Sequence, residues 1–205
     1  VAPLALTQTY TTPYNLVIGP DGVEFIYAGA YGDFPGAPGS FVAKVDAGGA
    51  ELWRTQLFDA AAHPETWNYP GVVGIHHNEF VYVIYGNTLA KLDPDSGAVL
   101  ASVALPYTGS PDDSAYNGFD GFVDGALVMK TVNRAAGCQE QGFSAFLNCP
   151  DASQVPNSII AVVDPDQMTL LAQVEAPEPI GGRLTTSYFD GMSRLYLMGA
   201  SSIFR

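Results

Sequence analysis

Positive charge is what this chain has least of. Its 205 residues include only three lysines, Lys44, Lys91 and Lys130, and Lys+Arg total 8 against 21 Asp+Glu. A net charge of −13 excludes the basic footprint of a nucleic-acid binder. It also disfavours adsorption to anionic membranes. No apolar run reaches the length of a membrane span, so membrane insertion is not expected. Histidine is scarce: His63, His76 and His77. The adjacent pair points to opposite faces of a strand and cannot readily share a metal, so no transition-metal site is expected. There is no G-x-S-x-G elbow, P-loop or C-x-x-C. Gly29-Ala30-Tyr31-Gly32 is no dinucleotide fingerprint, because no helix follows it. Helical periodicity is nearly missing; only Phe58–His63 could hold a helical turn.

Cysteine is also sparse. Cys138 and Cys149 stand in a C-x10-C spacing with no companion Cys or His nearby, which argues against a metal pair. A disulfide closing that loop is the preferred reading, with free thiols as the alternative. A disulfide implies an oxidising compartment, hence an extracellular or periplasmic location. Val1-Ala2-Pro3-Leu4 lacks the features of a signal peptide and is expected to be a mature terminus left after cleavage.

What the chain does have is strands. Short apolar runs such as Val23–Ala28, Phe41–Val45, Glu79–Tyr85, Ala126–Lys130, Ile159–Val163 and Arg194–Met198 are bounded by Gly, Pro, Asp and Asn. They recur as a unit. A long apolar strand follows a tight turn at Asp21-Gly22, His77-Asn78, Asp124-Gly125 and Asp190-Gly191. Then comes a strand ending in Asp: Lys44-Val45-Asp46, Lys91-Leu92-Asp93 and Val162-Val163-Asp164. An outer strand closes each unit, at Glu51-Leu52-Trp53, Val99–Val103 and Leu170–Val174. Asp46 to Asp93 spans 47 residues, near a propeller-blade period, and Asp93 to Asp164 spans 71, so one unit carries an insertion. The expected class is all-β, a β-propeller with about four visible blades in one domain.

The run from Asp46 to Trp53, and Asp93-Pro94-Asp95-Ser96-Gly97-Ala98-Val99-Leu100, resemble the blade repeats of the quinoprotein-like (PQQ-type repeat) propeller family. The resemblance covers the repeat skeleton and identifies no cofactor-site residues. Three full units are expected at 14–57, 71–106 and 118–177, with a fourth over 182–205 that stops before its outer strand. Two solutions are open for its edge. Leu4-Ala5-Leu6-Thr7-Gln8-Thr9-Tyr10 closes a four-bladed ring, or the chain is part of a larger propeller whose remainder is its partner.

The loops are expected to be asymmetric. Turns after first and third strands are short. Gly32–Gly39, Phe58–Pro70, Tyr107–Asn117, Thr131–Asn157 and Ala176–Gly181 are long and gather on the other face, where function usually resides. Candidate ligand-binding residues at the channel mouth are Asn15, Tyr69, Asn117, Asp120 and Arg183. Asp120 and Arg183 could instead pair with each other. Lys130, Asn133 and Arg134 begin the cysteine loop. They could bind a carboxylate or phosphate, or simply anchor the loop through its carbonyls. The aromatics Phe34, Trp67, Tyr69, Tyr107, Tyr116, Phe119 and Phe143 populate this side and could stack on a planar ligand or pack between blades. Asp93–Gly97 lacks the bidentate Glu of a calcium loop and reads as a turn. Asp112-Asp113 and the channel are the candidate positions for structural calcium; no other cofactor is indicated. The leading function is recognition of a small polar ligand or a protein. The rivals are a propeller enzyme (quinoprotein-like dehydrogenase or metal-assisted lactonase-type hydrolase) and a purely structural half-propeller.

Overall fold

The computed structural model describes residues 13–18, 24–28, 39–59, 62–63, 73–75, 78–121, 125–140, 148–149, 152–180, 184–187, 194–198 and 203–204. They form four antiparallel sheets, each a simple meander in chain order. The first holds β1 (Pro13–Ile18), β2 (Glu24–Ala28), β3 (Phe41–Val45) and β4 (Glu51–Gln56). The second holds β5 (Val73–Ile75), β6 (Val81–Tyr85), β7 (Thr88–Leu92) and β8 (Val99–Ala104). The third holds β9 (Ser114–Gly121), β10 (Leu127–Asn133), β11 (Ile159–Asp164) and β12 (Thr169–Glu175). The fourth has three strands among the described residues: β13 (Leu184–Ser187), β14 (Arg194–Met198) and β15 (Ile203–Phe204). Inner strands neighbour inner strands, β1 beside β5 and β9 beside β13, while β9 also packs on β6. Four-stranded meanders stacked this way are propeller blades. The stretch Leu4–Tyr10 lies outside the described residues.

Each complete blade carries the same irregularity. The third strand pairs with the fourth through a bulge at one equivalent place: between Lys44 and Val45, Lys91 and Leu92, and Val162 and Val163. The partners skip Leu52, Leu100 and Leu171, all exposed. A bulge twists the outer strand and makes it a poor template for edge pairing. The aspartate after each third strand folds the next turn. Asp46 Oδ1 accepts from the amides of Gly48 and Ala50, Asp93 Oδ1 from Asp95 and Ser96, and Asp164 Oδ1 from Asp166 and Gln167. These are Asx turns, so the recurring aspartates serve backbone amides.

The blades are joined by lysine. Lys44 Nζ crosses from the first blade to the Pro94 carbonyl of the second, 2.8 Å away, and Trp53 Nε1 donates to the same oxygen at 3.2 Å. Lys91 Nζ makes the corresponding bond to Pro165 O of the third blade at 3.3 Å, and Tyr82 Oη donates there at 3.1 Å. Asn78 adds a bond to Asp166. In both joints the proline follows the turn-forming aspartate and exposes its carbonyl to the preceding blade. The third blade has Val162 in place of lysine.

Packing at these joints is matched in size. Trp53 belongs to the apolar cluster with Val81, Val83, Ala90 and Leu92. Gly97 lies against it with φ +73°, and a Cβ there would strike the indole ring. At the next joint the outer-strand residue equivalent to Trp53 is Ala101, since Lys44 pairs with Trp53 and Lys91 with Ala101. The turn residue equivalent to Gly97 is Met168. It keeps the left-handed conformation, φ +51°, and is buried in the cluster on which Ala101 and Val103 pack. A large side chain thus meets glycine at one joint, and a small one meets methionine at the other. Left-handed methionine costs about 1–2 kcal/mol. Burying its side chain returns about 1.5–3 kcal/mol.

One expectation is corrected. The second blade breaks the rule that second-to-third-strand loops are long: β6 and β7 are joined by the tight turn Gly86-Asn87. Tyr85 and Thr88 are register partners, which leaves two residues to reverse the chain, and Gly86 takes φ +49°. In the Phe58–His63 region residues 60 and 61 lie outside the described residues; the Phe58 and His63 rings stack with centroids 5.5 Å apart.

Gly97→Ala is expected to lower unfolding free energy by about 2–4 kcal/mol through strain and overpacking against Trp53. Gly86→Ala, with open space around it, should lose only about 1–2 kcal/mol. Urea titration of both variants checks the difference.

Candidate functional site

The long-loop end of the third blade is where the structure gathers the sequence-selected polar residues. β10 supplies three of them. Alternation places Lys130 and Arg134 toward one side and Asn133 toward the other. Lys130 and Asn117 are register partners on β10 and β9, and Asp120 stands opposite Val128. Asn15 is on β1 opposite Tyr27. The side chains of Asn15 and Asp120, and all of Tyr69 and Arg183, lie outside the described residues, as do His76, His77, Phe34, Trp67 and Phe143.

Lys130 is 0% exposed, and its Nζ donates to Ile180 O at 2.9 Å. Ile180 belongs to the connector that leads to β13 and is itself fixed by a bond from its amide to Ser158 Oγ. Val128, Ile160, Ala176 and Ile180 form the apolar cluster on this side of the sheet. Removing the amine from water pulls its pKa down to about 7.

Asn133 and Arg134 hold the insertion that follows them. Asn133 Nδ2 donates to the carbonyls of Pro156 and Asn157 at 3.0 and 2.9 Å, and to Thr108 Oγ1 at 3.4 Å. Thr108 Oγ1 in turn donates to Asn157 O at 2.6 Å. Arg134 is 3% exposed. Its Nε meets Asp113 Oδ1 at 2.7 Å, Nη1 donates to Glu140 O at 2.7 Å, and Nη2 to Asp112 O at 3.2 Å. One guanidinium therefore joins the connector before β9 to the base of the cysteine loop. Cys138 and Cys149 are bonded, with Cα atoms 5.5 Å apart, and pack on Ala115 and Val132. Ser114 and Asn133 face each other across β9 and β10, and Ser114 Oγ and Asn133 Oδ1 are buried with no hydrogen-bond partner.

Two contributors here were not singled out from sequence, Thr108 and the Ser110 cap of the Pro111–Asp113 turn. Asp113, named above as a candidate calcium position, pairs with Arg134. The Ser-Pro-Asp-Asp run was a local signal for that cap. Tyr116, expected among the loop aromatics, is fully buried in the core, and its hydroxyl donates to Pro106 O at 2.5 Å. Burial raises its pKa well above the ordinary tyrosine value. Asp113 serves Arg134, and no three His, Cys, Asp or Glu side chains converge among the described residues. No helix among the described residues is long and apolar enough to cross a membrane.

The chain matches no protein-family model and no curated protein. It does resemble solved structures. A protein assigned as a gluconolactonase superposes with TM-score 0.53 at 15% identity, over 98% of this chain and 60% of its own. The Dos1 propeller (TM-score 0.41, 14% identity, 93% and 54%) and BamB from Moraxella catarrhalis (TM-score 0.40, 13% identity, 90% and 60%) are more distant. The fold is an all-β propeller. The chain spans 54–60% of the length of these structures.

The Lys130 amine titrates near 10.5 when unfolded and near 7 when folded. Between those values the unfolded state binds the extra proton, so stability rises with pH by up to about 1.4 kcal/mol per pH unit. Lys130→Met should remove this contribution; denaturant titrations between about pH 7 and 9 read the difference in slope. Alkylation without reductant should leave the intact mass unchanged; mass spectrometry that finds two alkylated thiols refutes the disulfide.

Proposed function

We propose that this chain is a binding propeller of an oxidising compartment, extracellular or periplasmic, and that its long-loop face takes a small polar ligand or a protein. The observation that carries this reading is the clasp at the third blade. Arg134, Asn133, Thr108 and the Cys138–Cys149 bond hold two long loops in fixed positions on a rigid scaffold. Loops held by buried side chains present a defined surface, and rigid display of loops is how such scaffolds bind. The buried oxygens of Ser114 and Asn133 favour a polar occupant, since such atoms normally find a donor in ordered water or ligand. In this reading Lys130, Asn133 and Arg134 are positioning residues, and contact falls to side chains exposed above them. Tyr107, 44% exposed beside Thr108, is the aromatic best placed for it. The disulfide supports the compartment.

The test is a panel of monosaccharides, sugar acids, sugar lactones and short peptides, followed by thermal midpoint and hydrogen exchange. At least one is expected to raise the midpoint and to protect amides around 107–113 and 134–140. Tyr107→Ala should weaken that effect about tenfold without changing the unliganded midpoint. Protection confined to the opposite face, around Asp95 or Asp166, refutes the assignment. Turnover of a lactone supports the enzyme reading instead.

A further inference from the structure

β12 differs from its counterparts. The outer strands β4 and β8 bury or partly bury the residues that face the next blade. Trp53 lies under the Pro94–Gly97 turn, with Thr55 Oγ1 donating to Gly97 O at 2.6 Å, and Ala101 and Val103 pack on the cluster that holds Met168. On β12 the register makes Ala172 the equivalent of Trp53 and Ala101, because Val162 pairs with it as Lys44 and Lys91 pair with theirs. Every residue of β12 is exposed, Val174 to 59%. Among the described residues the fourth sheet ends at β15. β15 pairs with β14 at Leu197 and Met198, and Ile203 is 74% exposed.

We propose that the outer face of β12 and the edge of β14–β15 receive a β-hairpin from a further part of a larger propeller, whose turn begins with aspartate and carries a large apolar side chain at its left-handed position. The two joints within the chain dictate that chemistry. Tryptophan on the outer strand is met by glycine, Gly97, and alanine by methionine, Met168. Ala172 is small, so a glycine above it would leave a void, whereas a methionine-sized side chain fills the space. Val162 replaces the joint lysine, so this hairpin needs no carbonyl aimed at β11. A second copy of the chain fits poorly. Its first-blade turn, Asp46–Gly49, has glycine at φ +86° in the critical place. The chain's span of 60% of the gluconolactonase-assigned structure accords with a larger ring. Strand addition supplies backbone hydrogen bonds, and the side-chain match supplies selectivity.

A peptide with the sequence Ala161–Glu175 reproduces such a hairpin and carries Met168 at the critical position. Labelled peptide, in its native form and as the Met168→Gly form, is titrated into the intact chain and followed by fluorescence anisotropy. The native peptide is expected to bind at least tenfold more tightly. Ala172→Trp, at an exposed site that leaves the thermal midpoint unchanged, should invert the preference. Val174→Lys should weaken both peptides. Failure of the native peptide to bind, equal affinity for the two, or an unchanged preference in Ala172→Trp overturns the proposal. So does concentration-dependent dimerisation in sedimentation that Val174→Lys abolishes, since a second copy would then cover the face. The proposal does not depend on the long-loop binding surface, which lies at the other end of the strands.

Discussion

A lysine ammonium donating to a backbone carbonyl of the following blade is the interaction on which this architecture depends. Lys44 reaches Pro94 and Lys91 reaches Pro165, while Lys130, on the second strand of the third blade, reaches Ile180 in the connector that follows it. These are all the lysines the chain possesses. A propeller blade buries both faces against neighbours, so its joints are mostly apolar and give little orientation by themselves. A charged donor aimed at a single carbonyl fixes the relative height of two blades, because any slip leaves a buried group unpaired. At the first joint the Asp93 carboxylate lies within the field of Lys44 and its pKa is lowered, chiefly by the hydrogen bonds from Ser96. Lys130, within the third blade, is fully buried, and loss of hydration lowers its pKa. A lysine-to-carbonyl bond thus also fixes the connector that leaves that blade.

Around these bonds the repeat permits variation only in compensated pairs. Trp53 and Gly97 trade volume against Ala101 and Met168. The exchange accounts for a methionine in a backbone conformation that normally selects glycine. The Asx turns hold the rest of each hairpin constant, so the left-handed residue always meets the same point of the preceding blade. The bulge at Leu52, Leu100 and Leu171 repeats for the same reason: it gives the outer strand the twist that brings this contact into line.

The third blade departs from the other two in its loops. Its insertion is closed by a disulfide, and Arg134 ties the base of that loop to the connector before β9. Removing the guanidinium would leave the partly buried Asp113 carboxylate and two carbonyls without their donor, which destabilises this region. The loops it holds are the least repetitive part of the chain. That combination, variable sequence on an invariant frame, is what a recognition surface requires.

The sequence by itself determined the strands, their grouping into blades, the aspartate turns and the pairing of the two cysteines. Each of these rests on local information: period-2 alternation, turn residues, a repeat length, a spacing. It also marked Lys130, Asn133 and Arg134, since three polar groups at the end of an apolar strand stand out without any knowledge of their surroundings. Only the tertiary structure decided what they do. Apart from the Asp113 carboxylate and the Thr108 hydroxyl, their partners are carbonyls of Ile180, Pro156, Asn157, Glu140 and Asp112, and a backbone carbonyl carries no sequence signature. The same holds for Lys44 and Lys91, whose acceptors lie a blade away, and for Met168, whose role depends on an alanine across a joint. Side-chain chemistry can be read along a chain, but an acceptor common to every residue becomes specific only when folding brings one particular copy of it within reach.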